Sequence, residues 1–127
     1  MAIKITRDEG QDLTIHDVTG PASEEEMYEA LENFYNREPT SFLLWDMSHA
    51  EVGHVTPSVL EAFVQRAAML GAQRKGGRTA VFAPYDLQFG LGRMSETFAE
   101  LKSTPFEFRV FRSRQHALEW LMADDSS

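Results

Sequence analysis

Segment 46–58 holds the residues whose types and spacing come nearest to a chemical site. It reads Asp-Met-Ser-His-Ala-Glu-Val-Gly-His-Val-Thr-Pro-Ser, with two histidines and two acids among its first nine positions. His49, Glu51 and His54 are of types that bind zinc, but their spacing matches no metal motif that has a physical basis. Loop histidines are more often simply solvated, so we predict neither a metal site nor a cofactor here.

The same segment contains the residue types of a Ser-His-Asp hydrolase, namely Asp46, Ser48 and His54. No serine in the chain lies in the Gly-x-Ser-x-Gly elbow that exposes a nucleophile in one large class of hydrolases. We therefore predict that the protein is not an enzyme, and a reaction that uses the loop histidines ranks last.

Three hydroxyl groups in this segment are candidate phosphorylation and partner-binding positions, those of Ser48, Thr56 and Ser58. A phosphate on Thr56 or Ser58 would lie at a helix N-terminus, where free N–H groups and the helix dipole favour an anion. A threonine before Pro57 is also what the start of a helix requires, and the N-cap role is the favoured interpretation.

The elements on either side of segment 46–58 would hold it in place. Residues 42–45 form an apolar run of the length of a buried strand, which Asp46 is predicted to end. An apolar stripe at helical spacing then runs from the Thr56-Pro57 start to a C-cap at Gly71. Strand, acid, loop and capped helix are half of a βαβ unit, and such loops commonly hold binding sites.

The remaining elements follow the same alternation. Residues 3–7 and 13–18 predict a hairpin with Gly10 at its turn, and Ser23 with Glu26 predicts a capped helix. Further on, the patterns predict a strand at 79–83, a helix capped by Asp86, an edge strand at 106–111 and a helix capped by Ser113. In the helix after Asp86, one apolar face is predicted to comprise Leu87, Leu91, Met94, Phe98 and Leu101.

This order predicts an α/β fold with a mostly parallel central sheet of about five strands, an N-terminal β-hairpin and about four helices. Residues 1–123 would form a single domain and 124–127 a polar tail. Because ligands in open α/β sheets bind beyond the carboxyl ends of the strands, a site is expected at that rim. The candidate rim and ligand residues are Asp46, His54, Tyr85, Phe89 and Arg93.

Two clusters admit a functional and a structural interpretation. Phe89, Met94 and Phe98, with two glycines in the same helix, could line a ligand cavity, although core packing is the more common role of such residues. Arg66, Arg74, Lys75, Arg78 and Arg93 could bind an anion or an acidic partner. Arg74 and Lys75 would also complement the dipole at a helix C-terminus, and that interpretation is favoured.

The composition of the chain limits the kinds of partner and site that we expect. The chain has 127 residues, 43% of them hydrophobic, no cysteine and a formal charge of −8. Disulfides and thiolate sites are thereby excluded, and the charge disfavours nucleic acid as a partner. We found no apolar run long enough to span a membrane, so a cytoplasmic location is expected. An edge strand and abundant aromatic residues allow a homodimer.

Four stretches of the sequence resemble the STAS superfamily, and most closely its bacterial SpoIIAA-like branch of anti-sigma-factor antagonists, which is related to CRAL-TRIO lipid-binding domains. They are Leu-Trp-Asp-Met-Ser (44–48), Gly-Arg-Thr-Ala-Val with Ala-Pro (77–81, 83–84), Phe-Gly-Leu-Gly-Arg-Met (89–94), and Phe-Arg-Val-Phe-Arg with Ala-Leu-Glu-Trp-Leu (108–112, 117–121). The resemblance covers nearly the whole chain and implies a STAS fold.

The resemblance also implies a function. Antagonists of this family dock a partner such as a kinase or an anti-sigma factor, and a serine in an Asp-Ser-Ser-Gly motif is phosphorylated. This chain has His-Val-Thr-Pro-Ser at 54–58 instead, so the family's phosphorylation motif is absent, and Thr56 is the nearest hydroxyl with Ser58 second. We therefore expect a non-enzymatic regulatory module that docks a protein partner through 48–58 and the following helix. The alternative is a carrier or sensor of a small apolar, lipid-like ligand.

Overall fold

The computed structural model of the protein describes residues 2–74 and 77–123, so Lys75 and the predicted tail at 124–127 lie outside it. The elements are β1 Ile3–Asp8, β2 Leu13–Gly20, α1 Glu24–Asn36, β3 Phe42–Ala50, α2 Pro57–Leu70, a 3-10 turn Gly71–Gln73, β4 Arg78–Phe82, α3 Asp86–Leu101, β5 Glu107–Phe111 and α4 Arg114–Leu121.

These strands form one five-stranded sheet in the order β1-β2-β3-β4-β5. β1 pairs with β2 in the antiparallel direction, and every later neighbour is parallel. The predicted α/β class, with a mostly parallel sheet, a hairpin at its start and four helices, is confirmed. β5 is an edge strand, and the Glu96 carboxylate accepts its Val110 N–H at 2.8 Å, so this backbone donor is already satisfied.

Successive residues of the central strands serve two different cores. Leu43 belongs to a cluster that includes residues of α1, α2 and α3, whereas Leu44 packs with Ala117 and Leu121 of α4. This is the two-residue alternation of a β-strand with both faces covered. We call the two sides the three-helix face and the α4 face.

Most predicted helix starts are confirmed. Ser23 and Glu26 form the reciprocal capping box, Thr56 accepts the Val59 N–H ahead of a proline at the first helical position, and Ser113 caps α4. The predicted Asp86 cap is wrong. Tyr85 occupies the N-cap position of α3 with no side-chain hydrogen bond, and Asp86 is the first residue of the helix.

Two further expectations are corrected. β3 continues past Asp46 to Ala50, because its last residues pair with β2 at Thr19–His49 and Gly20–Ala50. The left-handed residue in the hairpin turn is Asp12, at φ 54°, where Gly10 was expected. Both outcomes depend on how β1 and β2 meet their neighbours, which local residue preferences do not specify.

The buried face of α3 also differs from the prediction. Leu87 and Leu101 are 58% and 72% exposed, and the buried residues are Gln88, Gly92, Ser95 and Ala99. A Cβ at Gly92 would collide with the Val110 side chain, so the absence of a side chain there lets β5 approach the helix. The helix therefore packs through its small residues, which hydrophobicity alone did not indicate.

Two buried arginines tie the chain together near the beginning of β4. Arg74 is 5% exposed, and its guanidinium donates to Thr40 O at 3.1 Å and to Thr79 Oγ1 at 2.6 Å. Arg78 is 4% exposed and donates to Trp120 O at 3.0 Å, at the end of α4. Both side chains thus bind carbonyl or hydroxyl oxygens inside the protein, so Arg74, which was predicted to complement the dipole at a helix C-terminus, is a buried residue with several internal partners.

Candidate functional site

An apolar cavity of about 160 Å³ lies between the sheet and helices α1 to α3. Its wall is made of Leu43, Trp45, Met47, Thr79, Val81 and Phe108 from the sheet, Met27, Tyr28, Leu31 and Tyr35 from α1, Val59, Leu60, Phe63, Val64 and Ala67 from α2, and Gln88, Leu91, Gly92, Ser95 and Ala99 from α3, with loop residues that include Val52, His54 and Val55. An apolar cavity of about 150 Å³ holds a molecule of the size of benzene.

The position of α2 explains why this space is not filled. Of all the residues of α2, Val64 alone is buried, and the helix packs chiefly on α1 and α3. Small side chains of α2 and α3, among them Ala67, Ser95 and Ala99, form part of the cavity wall. Large rings lie around it, since Phe63 makes edge contacts with Trp45 and Tyr28 at centroid distances of 5.9 and 5.4 Å. A pocket lined by aromatic rings and small side chains suits a compact apolar guest.

Gln88, a residue of the cavity wall, carries a buried acceptor without a partner in the described part of the chain. The residue is 8% exposed, and its Nε2 donates to Ala50 O at 2.9 Å. A carbonyl oxygen can only accept, so this bond places the amide nitrogen towards Ala50 and the amide oxygen on the other side. That oxygen, Oε1, is buried and has no hydrogen-bond partner among the residues that the structure describes.

The cavity reaches the surface near the start of α1. Glu24 and His54 belong to its lining and are exposed, which places its mouth between α1 and the loop that precedes α2. His54 Nε2 lies 3.2 Å from Ala22 O, within hydrogen-bond reach, and links that loop to the beginning of α1. Of the predicted rim residues, His54 therefore lies at the cavity mouth.

Asp46 and Ser48 form a separate polar network. Asp46 is 7% exposed, and its Oδ1 accepts the Ser48 N–H at 3.0 Å and the Ser48 hydroxyl at 2.6 Å. Its Oδ2 accepts a bond from Arg114 of α4 at 3.1 Å. The serine proton is directed to a carboxylate, and His54 binds Ala22, so the three residues of the hypothetical hydrolase triad are not assembled.

The loop histidines do not come together with acids around a common point. His49 Nδ1 lies 3.2 Å from the Ser48 hydroxyl, whereas His54 binds the start of α1. Across residues 2–74 and 77–123, no group of three or more histidines and acids is placed to hold a metal ion. Residues 46–49 instead form a network of hydrogen bonds near the end of β3.

The other predicted site residues lie on the surface. Thr56 and Ser58 are exposed at the first turn of α2, and the Thr56 hydroxyl accepts the Val59 N–H at 3.3 Å. Tyr85 is 65% exposed. The described part of α3 contributes neither Phe89 nor Met94 nor Phe98 to the cavity wall.

Two of these α3 residues have partners elsewhere. The Arg112 guanidinium carbon lies 4.1 Å from the centroid of the Phe89 ring, an arrangement typical of a cation–π contact. Arg93 pairs with Glu96 at 3.3 Å, one turn further along α3. The role of Arg93 as a candidate rim residue stays a prediction.

A buried histidine lies behind the cavity wall. His16 on β2 is 1% exposed, and its ring makes edge contacts with Trp45 and Phe34 at 4.3 and 6.0 Å. Burial without a charged partner lowers the pKa of His16 from 6.5 to about 4, because desolvation penalises the imidazolium form. The neutral ring is thus part of the aromatic packing that supports Trp45.

Sequence reasoning missed Gln88 and His16. A single glutamine in a helix, or a histidine in a strand, is ordinary at the level of sequence. One available signal was the spacing of Gln88, Gly92, Ser95 and Ala99, which repeats at four, three and four residues and marks a helix face made of small side chains. The larger apolar residues of the same helix, such as Leu87 and Leu101, form a competing pattern that predicts a different buried face.

No family model matches this chain, and no curated protein matches it with significant similarity. Within the described residues, none of the helices has the length and apolar character needed to cross a membrane.

Proposed function

We propose that this protein is a non-enzymatic binding module that takes up a small apolar molecule in the cavity on the three-helix face. The observation that carries the proposal is the cavity itself, a ring-lined space of about 160 Å³ with an opening beside His54. Transfer of apolar surface out of water is favourable by roughly 25 cal/mol of free energy per Å². We therefore expect a guest with one ring to bind with a Kd of about 0.1–1 mM. The carrier or sensor role thus becomes the leading function.

Binding is tested with benzene and toluene by ligand-observed NMR and by the shift of the melting temperature. We expect saturable binding to the wild-type protein, because these molecules fill the cavity without requiring a polar partner. Ala67→Phe should abolish it by occupying the space from α2. Ala62→Phe is the matched control, since Ala62 is exposed on the same helix and adds a ring outside the cavity. Equal binding by both variants would show that the guest sits elsewhere.

Partner docking is the second candidate, favoured by the position of the segment that leads into α2. Thr56 and Ser58 are exposed on the first turn of this helix, while its other side lines the cavity. A partner on this surface would therefore be close to a bound guest. The resemblance to anti-sigma-factor antagonists supports the same surface, and the STAS relationship is proposed together with it.

The docking candidate is tested by placing a negative charge at the start of α2. Thr56→Glu and Ser58→Glu should change which proteins copurify with the chain, whereas Gln65→Glu, which adds the same charge further along α2, should not. An unchanged set of partners in both variants rules out this surface. A cytoplasmic location and a homodimer remain predictions from composition and from the edge strand.

A further inference from the structure

We infer that the guest of the cavity is a compact molecule of about six to ten heavy atoms that carries one hydrogen-bond donor, of the class of phenols and indoles, and that it donates to Gln88 Oε1. This inference rests on the proposed function and specifies its ligand. It follows from the orientation of one amide, from the charges of the wall and from the size of the space.

The amide orientation decides which kind of polar group fits. Gln88 Nε2 is engaged with Ala50 O at 2.9 Å, so the amide offers an acceptor and no free donor on the side of Oε1. Oε1 is buried without a partner among the described residues, in a side chain that lines the cavity. A buried acceptor is disfavoured when it stays unpaired. A hydrocarbon guest would leave it so, whereas an O–H or N–H group would satisfy it.

The charges of the wall exclude an anionic head group. The residues that line the cavity in the described chain include no lysine and no arginine, and its one acid, Glu24, lies at the mouth. A carboxylate would meet the negative end of the Gln88 amide dipole, with no cation to offset its loss of hydration. The net charge of −8 opposes anions at long range as well. Ionised fatty acids are therefore poor guests.

A trapped water is the competing explanation for an acceptor that looks unpaired. A buried water is well held when it has two to four polar partners. The wall around Gln88 is mostly apolar, and the proton of the Ser95 hydroxyl, which also lines the cavity, is already donated to Leu91 O at 2.9 Å. A water on Oε1 would thus find few further partners, the Ser95 oxygen among them as an acceptor, and a guest with its own donor would compete with it.

The test compares guests of equal shape with and without a donor. The dissociation constants of indole and indene, and of phenol and toluene, are measured on the wild-type protein by calorimetry or NMR titration. We expect each donor-bearing member to bind roughly 10- to 100-fold more tightly, the range expected when a buried acceptor gains its partner. Benzoate should not bind.

Gln88→Met removes the acceptor while keeping a side chain of similar length, and it should reduce the indole-to-indene ratio to near one. Gln65→Met is the matched control, because Gln65 is exposed on α2, and it should leave the ratio unchanged. If Gln88→Met does not fold, the structure of the wild-type complex with indole decides, since the indole nitrogen must lie within hydrogen-bond distance of Oε1.

The outcomes separate this inference from the function on which it rests. Binding of both members of each pair with equal affinity keeps the cavity function and overturns the donor requirement, as a tightly held water on Oε1 would predict. A preference for indole that survives in Gln88→Met also overturns it. Failure of every guest to bind overturns the cavity function itself.

Discussion

The two faces of the sheet differ in how completely they are filled. On the α4 face a single helix of eight residues, Arg114–Leu121, covers the strands, yet Leu44, Ala80, Ala117 and Leu121 are all 0% exposed. The three-helix face is covered by α1, α2 and α3 and still encloses a cavity of about 160 Å³. The number of helices therefore does not decide how well a face packs.

Side-chain size at the contact accounts for the difference. On the α4 face, Ala80 of the sheet faces a helix that presents Ala117, so the helix can approach closely. On the three-helix face, α2 rests chiefly on α1 and α3, and its own bulky Phe63 meets Trp45 of the sheet. The α4 face is thus closely filled around a smaller core, whereas the three-helix face holds the larger core and retains space that a guest can use.

The largest expected effect comes from truncating one leucine on each face. Leu121→Ala should lower the free energy of unfolding by about 3–5 kcal/mol, because Leu121 is fully buried in a filled core. Leu60→Ala should cost only about 1–2 kcal/mol, since this side chain already borders empty space. Urea denaturation measures both. Equal losses would contradict the contrast between the faces.

Acid should weaken the three-helix face through His16. The folded protein holds the pKa of His16 at about 4 against 6.5 in the unfolded chain, so the unfolded state binds the extra proton at intermediate pH. The associated stability is complete above pH 6.5 and is lost as the pH falls towards 4, by about 3 kcal/mol in all. His16→Leu should flatten this part of the stability profile. His49→Gln, at an exposed position, is the control and should leave it unchanged.

Enlarging one alanine on each face tests the cavity without a ligand. Ala117→Leu should destabilise the protein by about 1–3 kcal/mol, because nothing near this 0%-exposed residue can make room. Ala67→Leu should change stability by less than about 1 kcal/mol, since the added carbons enter the cavity. Thermal melts compare the two variants. A large penalty at Ala67 would contradict the presence of this space under α2.

The smallest effect is expected at the two glycines of α3. A Cβ at Gly90 would meet nothing within 4 Å, so Gly90→Ala should stabilise the helix by about 0.5–1 kcal/mol. Gly92→Ala should destabilise the protein, because its Cβ would collide with Val110 on β5. Denaturation midpoints of the two variants should therefore move in opposite directions. A shift of the same sign would place the packed face of α3 elsewhere.

Local sequence patterns predicted much of this architecture. The Ser23–Glu26 capping box, the Thr56 cap before a proline and the Ser113 cap were all readable, because each depends on residues within three positions of one another. The apolar runs at 42–45 and 79–83 likewise indicated buried parallel strands. These signals were sufficient for the fold class and for the order of the elements.

Tertiary contacts decided the remainder. β3 extends to Ala50 because β2 runs beside it, and the packed face of α3 is set by the close approach of β5 at Gly92. The Gln88 amide is oriented by Ala50 O, which lies 38 positions earlier in the chain. The cavity exists because α2 rests on its neighbouring helices above large aromatic residues. Each of these features depends on residues that are distant in sequence, and no local pattern records how closely they approach.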